Sequence, residues 1–187
     1  MKRLLSTLLL LVLNSCHAAT SDCPRTSDMP PGLKMAHYRS PTPACVPNGI
    51  TLNTAELQSL MQTQQPILID VFAILRRIDA GFGSTWLVNS PHTSLPNAVW
   101  LPNVGYGQLD PDIETWFQQQ LTQLTQANKT KPLVFFCVAD CWMSWNAVQR
   151  ARTYGYNQVY WYKDGVDGWQ ERGLVTVTLE PIPLSIK

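Results

Sequence analysis

Charge is what this chain has little of. Only 14% of its 187 residues are Asp, Glu, Lys or Arg, and fourteen cations against thirteen anions leave a formal charge of +1. A nucleic-acid-binding face needs a basic stripe or patch, and this balance supplies none. Histidine is scarce too, with three in the whole chain, and there is neither a Gly-rich phosphate loop nor a Ser/His/Asp arrangement. Repeats, heptads and low-complexity tracts are missing, which excludes solenoids and coiled coils. The longest apolar run, near the N-terminus, is too short for the about 20 residues of a membrane-spanning helix. What is present is 45% hydrophobic residues, enough for one domain of ordinary size with a proper core. Fourteen prolines and ten glycines predict many irregular connections within it.

The first segment reads as an export signal rather than as part of the fold. Met1-Lys2-Arg3 is followed by an apolar run over residues 4–13 and by Asn14-Ser15-Cys16-His17-Ala18-Ala19. That order, charged then apolar then small, is the signature of a secretory leader spanning residues 1–19. Cleavage after Ala18 or Ala19 leaves a soluble product. Leu13-Asn14-Ser15-Cys16 also resembles a lipobox, in which Cys16 would be lipidated and hold the protein on a membrane. Both readings place the domain outside the cytoplasm, in the periplasm. Loss of Lys2 and Arg3 with the leader turns the formal charge to −1.

Cys23, Cys45, Cys137 and Cys141 then remain, and an even count in an exported protein predicts a disulfide. Cys23 and Cys45 flank a Pro-rich stretch without periodicity, within an N-terminal segment over residues 20–49. A bridge between them would staple a segment too poorly packed to order itself.

From residue 50 helices alternate with short apolar strands. Asn53 with Glu56 three places on is a capping box, and Leu57, Leu60 and Met61 continue a helical stripe. Pro66-Ile67-Leu68-Ile69-Asp70-Val71-Phe72 is a strand buried on both faces. Residues 73–94 read as a long loop, and Ala98-Val99-Trp100-Leu101 as a short strand. Asp110 caps a helix that carries Pro111 at its first position, and Ile113, Trp116, Phe117, Leu121 and Leu124 keep helical spacing. Pro132-Leu133-Val134-Phe135-Phe136-Cys137 is a second buried strand, residues 144–154 a helix closed by Gly155, and Val159-Tyr160-Trp161-Tyr162 a further strand. Strands alternating with helices predict an α/β domain with a mainly parallel sheet, whose ligands bind beyond the carboxyl ends of the strands.

Cys137 lies at such an end. In Cys137-Val138-Ala139-Asp140-Cys141-Trp142-Met143-Ser144 a thiol follows a strand and a helix starts within a few residues. A loop wrapped around that sulfur, from Val138 through Ala139, Asp140 and Trp142 to Met143, would aim peptide N–H groups at a thiolate or a persulfide, assisted by the helix dipole. A lone buried Cys is usually an inert small hydrophobe, but a second Cys four residues on argues against that here. Cys141 would resolve a persulfide, sulfenate or mixed disulfide formed on Cys137. Two alternatives stand beside this: a permanent Cys137–Cys141 bridge that locks the loop, and a soft Cu(I) site of Cys137, Cys141 and Met143. Metal ranks last, since neither His37 nor His92 is near the loop in sequence. Asp70, at a strand end, reads as a partner for nearby backbone. Arg76 and Arg77 are candidates for a cation delivered from the long loop.

The chain resembles rhodanese-type domains over residues 50–174, leaving a tail over residues 175–187. Ile69-Asp70-Val71, then Ser94-Leu95-Pro96-Asn97-Ala98, resemble that family's paired signatures. Gly155-Tyr156 before Val159-Tyr160, with Asp164-Gly165-Val166-Asp167-Gly168-Trp169, resemble its closing strand and helix. The resemblance implies a three-layer fold on a five-stranded parallel sheet, places Cys137 where rhodaneses carry the persulfide-forming cysteine, and requires no cofactor. More narrowly, Trp100-Leu101-Pro102-Asn103-Val104-Gly105 with residues 137–146 resembles an exported family named for a Cys-x-x-Cys-Trp motif and associated with pyrroloquinoline-quinone-dependent catabolism.

Departures from the family pattern bear on substrate. Rhodaneses place an Arg after the Cys to hold anionic thiosulfate; here that stretch has Trp142 and Met143 and adds Asp140, and the loop is one residue longer. A carboxylate beside the sulfur and no bidentate cation predict poor thiosulfate transfer. Two functions remain open: sulfurtransfer or thiol–disulfide exchange on a small sulfur-containing or thiol substrate, and a non-catalytic module whose Trp142 and Met143 dock a periplasmic dehydrogenase or cytochrome.

Overall fold

The computed structural model describes residues 23–79 and 83–184; the leader and the Cys16 lipobox lie outside the described residues. After the short strand β1 (Ile50–Leu52), the capping box starts α1 (Thr54–Gln64). Asn53 Oδ1 accepts from the Glu56 N–H (3.0 Å), and Glu56 Oε2 accepts from the Asn53 N–H (2.8 Å). The chain continues through β2 (Ile67–Asp70), β3 (Leu75–Asp79), β4 (Gly83–Leu87), β5 (His92–Ser94) and β6 (Val99–Trp100). Then follow α2 (Pro111–Thr125), β7 (Leu133–Phe136), α3 (Trp142–Thr153), β8 (Val159–Tyr162), α4 (Gly165–Glu171) and β9 (Val177–Leu179).

The three apolar runs seen in sequence form the middle of one parallel sheet, in the order β1-β8-β7-β2-β6. Its register sets Ile69 beside Phe135, and Phe135 beside Trp161. Alternation across the strands then divides the core. Ile69, Leu133, Phe135, Cys137 and Trp161 face α2 and α3, while Leu68, Val134, Phe136, Tyr160 and Tyr162 face α1 and α4. The five-stranded α/β architecture expected from the sequence is what the structure shows.

Several local expectations change. Residues 73–94 are not a plain loop: β3 and β4 form an antiparallel hairpin, and β5 pairs with β9 from the C-terminal tail. Leu75 and Ile78 in β3 are exposed, so this strand carries no two-faced apolar run to announce it. The helix expected from residue 144 starts at Trp142. Asp110 takes the N-cap position of α2 but makes no cap hydrogen bond; its carboxylate faces Arg76 instead (3.2 Å). The tail folds back onto the sheet, where the Ile182 N–H donates to the Trp100 carbonyl (2.9 Å).

The segment before β1 is irregular but fixed as a strap across α3. A disulfide joins Cys23 to Cys45, with Cα atoms 5.8 Å apart. The Trp142 and Trp145 indoles donate to the carbonyls of Pro41 and Cys45, each at 3.1 Å. Asn146, fully buried, binds both the N–H and the carbonyl of Lys34. Closing a loop of 22 residues' separation removes denatured-state entropy worth about 3 kcal/mol. Urea unfolding of Cys23→Ser with Cys45→Ser should therefore show about that loss against the parent; unchanged midpoints would deny the bridge a stabilising role.

Candidate active site

Cys137 follows β7 directly, and the chain turns sharply before α3. Asp140 provides the turn with a left-handed backbone (φ 51°), which Asp tolerates better than most residues. Cys141 becomes the N-cap residue of α3. The turn is gripped from two sides. From α4, the Val166 N–H donates to the Cys137 carbonyl (2.9 Å), and Asp167 Oδ2 accepts from the Ala139 N–H (2.9 Å). From the strap, Arg39 pairs with Cys141 as an antiparallel bridge. Around that bridge the Trp142 N–H donates to the Tyr38 carbonyl (2.9 Å), and the Ser40 N–H to the Asp140 carbonyl (3.2 Å).

Cys137 and Cys141 are both free thiols, exposed by 1% and 3%, with their sulfurs in direct interaction. Their surroundings push them apart. Burial drives the Cys137 thiol well above its ordinary value, reinforced by Cys141 and by the negative Asp70 carboxylate, with only the Val138 amide opposing. The Cys141 thiol is drawn down: its sulfur accepts from Cys137, faces the amides of Met143 and Ser144 at the start of α3, and lies near the Arg39 guanidinium. Those gains outweigh its burial. The N-terminal amides and dipole of a helix favour an anion at this place. A negative charge on the pair is thus favoured on Cys141 over Cys137.

Both sulfurs border a cavity of about 460 Å³ whose other walls are His37, Tyr38, Arg39, Phe72, Ala73, Tyr106 and Met143. Of the residues expected to bind substrate, Met143 lines this cavity and Val138 points its amide at Cys137. The Ala139 amide is committed to Asp167, and the Trp142 amide to Tyr38. Asp140 is exposed and accepts from the Thr42 N–H (3.1 Å), outside the cavity lining. Of the expected cradle of loop amides, Val138 faces Cys137 and Met143 faces Cys141, while strap and α4 take two of its donors. Trp142 and Met143 are only 2% and 4% exposed, so neither presents a docking surface. Arg76 does not reach the cavity; it is ion-paired with Asp112 and Asp110 at the start of α2. Arg77 is exposed on β3 and does not line the cavity either.

Asp70 is fully buried and meets the backbone as its position suggests, accepting from the Phe72 N–H (2.9 Å). It also accepts from Ser94 Oγ (2.6 Å) and pairs with His92 Nε2 (2.8 Å). His92 stacks between Phe72 and Trp100 beside a neighbouring cavity that shares Phe72, Ala73 and Tyr106 with the cysteine site. Among the described residues no group of three or more His, Cys, Asp or Glu is placed to hold a metal ion. Sequence reasoning missed the strap residues His37, Tyr38 and Arg39. Their signal was indirect: residues 142–151 in α3 are buried all round, so a further layer must cover its outer side.

Solved structures with this fold include a thiosulfate sulfurtransferase from Pseudomonas aeruginosa, 16% identical with a TM-score of 0.50 over 74% of this chain. This chain spans 22% of that enzyme's length. A polysulfide-sulfur transferase homodimer from Wolinella succinogenes is 21% identical (TM-score 0.43; 70% of this chain, 79% of that one). A human single-domain sulfurtransferase is 25% identical (TM-score 0.41; 65% and 96%). No curated protein matches the chain significantly. The rhodanese-like domain profile matches residues 53–172, which include the whole sheet beyond β1, all four helices and both free cysteines. By that match, over more than half of its length, the chain belongs to the rhodanese-like domain family.

Proposed function

We propose that this protein transfers sulfane sulfur through its two free cysteines, with Cys141 as the nucleophile and Cys137 as its proton donor and resolving thiol. The observation that carries this is the buried thiol pair, with the anion drawn to the N-cap position of α3 beside Arg39 and opening onto a cavity. Family membership supports the reaction type. The sequence resemblance implies Cys137 as the nucleophile, and the local electrostatics favour exchanging the two roles.

In the proposed cycle the Cys141 thiolate attacks the outer sulfur of a donor. A Cys141 persulfide forms, and the donor leaves with the electron pair of the broken bond. An acceptor thiolate then removes that outer sulfur and regenerates the Cys141 thiolate. Without an acceptor, the Cys137 sulfur attacks Cys141, expelling hydrosulfide and leaving an internal disulfide that an external dithiol must reduce. The wider setting proposed is export, with or without a lipid on Cys16, and support of pyrroloquinoline-quinone-dependent oxidation in the periplasm beside a dehydrogenase or cytochrome. A leader-like N-terminus, the Cys23–Cys45 disulfide and the sequence resemblance support it. Mass mapping of peptides after incubation with a sulfane-sulfur donor tests the chemistry. One extra sulfur on the Cys141 peptide is expected; a protein that never gains sulfur would overturn the reading.

A further inference from the structure

The loop after the cysteines carries no cation, and the candidate arginines of β3 do not line the cavity. A cation reaches it from an unexpected direction. Arg39 is brought against Cys141 by the antiparallel bridge between strap and active-site turn, and its side chain lines the cavity. It makes no ion pair with any described carboxylate. The strap that delivers it is anchored at Trp142, Trp145 and Asn146 of α3 and closed by the Cys23–Cys45 bridge, so this cation is positioned by tertiary structure.

Beside His37, the rest of the lining is aromatic and apolar: Phe72, Ala73, Tyr106 and Met143, with Tyr38 beside Arg39. The Tyr38 hydroxyl is already used, donating to the Met35 carbonyl and accepting from the Gly107 N–H. The Tyr106 hydroxyl has no hydrogen-bond partner among the described residues and lies near enough to Cys141 to feel its charge. A space of about 460 Å³ with one guanidinium, one imidazole, one free hydroxyl and otherwise apolar walls suits a small organic ligand with a single charged head. Inorganic thiosulfate would leave most of that space unfilled, and its second charge would face the Cys141 thiolate with no second guanidinium in the lining.

Resting on the sulfur-transfer reading above, we propose that Arg39 is the anion-binding residue of this cavity, and that the donor is an organic thiosulfonate with an apolar body. Its sulfonyl head lies against Arg39 and Tyr106, and its organic group against Phe72 and Met143. The Cys141 thiolate attacks the terminal sulfur, a Cys141–S–S⁻ persulfide forms, and the sulfur–sulfur bond of the donor breaks with its electron pair leaving on an organic sulfinate. One thiolate and one thiosulfonate anion give one persulfide anion and one sulfinate anion, so no oxidant or reductant is needed. Arg39 holds the oxygens of donor and leaving group alike.

The experiment compares the full chain with Arg39→Gln and Arg39→Lys in three measurements. The first is persulfide loading from benzenethiosulfonate and from inorganic thiosulfate. The second is alkylation of Cys141 by neutral iodoacetamide, and the third is protection from that alkylation by benzenesulfonate, an inert anion. Loss of a charge-assisted contact predicts that Arg39→Gln weakens benzenesulfonate protection and raises the KM for benzenethiosulfonate about tenfold or more, with Arg39→Lys between. Iodoacetamide alkylation should slow by clearly less than benzenethiosulfonate loading. Equal slowing of both reactions would reduce Arg39 to a tuner of thiol acidity and overturn its binding role. Equal KM values for thiosulfate and benzenethiosulfonate would overturn the organic donor. Benzenesulfonate protection that depends on Arg39 without any loading would keep the anion site and overturn sulfur transfer instead.

Discussion

Replacing Cys141 with Ser is expected to abolish persulfide loading, while Cys137→Ala keeps the loading step and loses the closing of the internal disulfide. The loss at Cys141 should reach the scale on which removal of a covalent nucleophile acts, up to about 10⁶-fold. The asymmetry follows from where the charge sits: helix amides and Arg39 surround Cys141, whereas burial and Asp70 oppose a charge on Cys137. It also fixes a pH dependence. With its pKa lowered, Cys141 is thiolate below the ordinary thiol range, so its alkylation rate should level off at a lower pH than that of a free thiol of pKa ~8.5. The hydrogen bond from Cys137 is the largest of the effects that lower it. Cys137→Ala should therefore move the midpoint of that profile upward. Iodoacetamide rates against pH, with peptide mapping, measure both. Loading that survives Cys141→Ser and disappears in Cys137→Ala would return the nucleophile to Cys137, where the family resemblance places it.

The strand-and-helix frame was legible because its signals are local. Ile67 to Asp70, Leu133 to Phe136 and Val159 to Tyr162 are unbroken runs that only a doubly covered parallel sheet accommodates. The two cysteines were legible as a site because a strand end and a helix start bracket them. What could not be read was long-range. The hairpin β3-β4 takes its pairing from its own partner strand, and Arg76 finds Asp110 and Asp112 more than thirty residues away. The strap shows no period, since its residues are held one at a time by indole N–H groups and by Asn146 rather than by a repeating face. For that reason the sequence does not show that two of the loop amides serve Asp167 and Tyr38 rather than the sulfur. The cation at the cavity is likewise Arg39 of the strap, not the arginines of β3 that the sequence suggests.

Asn146→Ala is expected to cost stability on the scale of losing the Cys23–Cys45 bridge, and to damage the site at a distance. The Asn146 side chain is fully buried on α3 and makes three hydrogen bonds. Its Oδ1 accepts from the Lys34 N–H (2.8 Å), and its Nδ2 donates to the carbonyls of Lys34 (2.9 Å) and Gly105 (2.9 Å). Alanine leaves the part-buried N–H and carbonyl of Lys34 and the buried carbonyl of Gly105 without this partner, a desolvation cost of about 2–3 kcal/mol together. Asn146→Asp retains the acceptor for Lys34 but turns an acceptor-only carboxylate toward two carbonyls, so it should be no milder. Both variants free the strap at Lys34, five residues before Arg39. Chemical denaturation should record the stability loss. At temperatures where the variants remain folded, benzenethiosulfonate loading should weaken as it does in Arg39→Gln, with Cys141 still open to iodoacetamide. A variant that loses stability but keeps full affinity for the anion would show that Arg39 holds its place without the Asn146 anchor, through the Cys141 bridge and the two indoles alone.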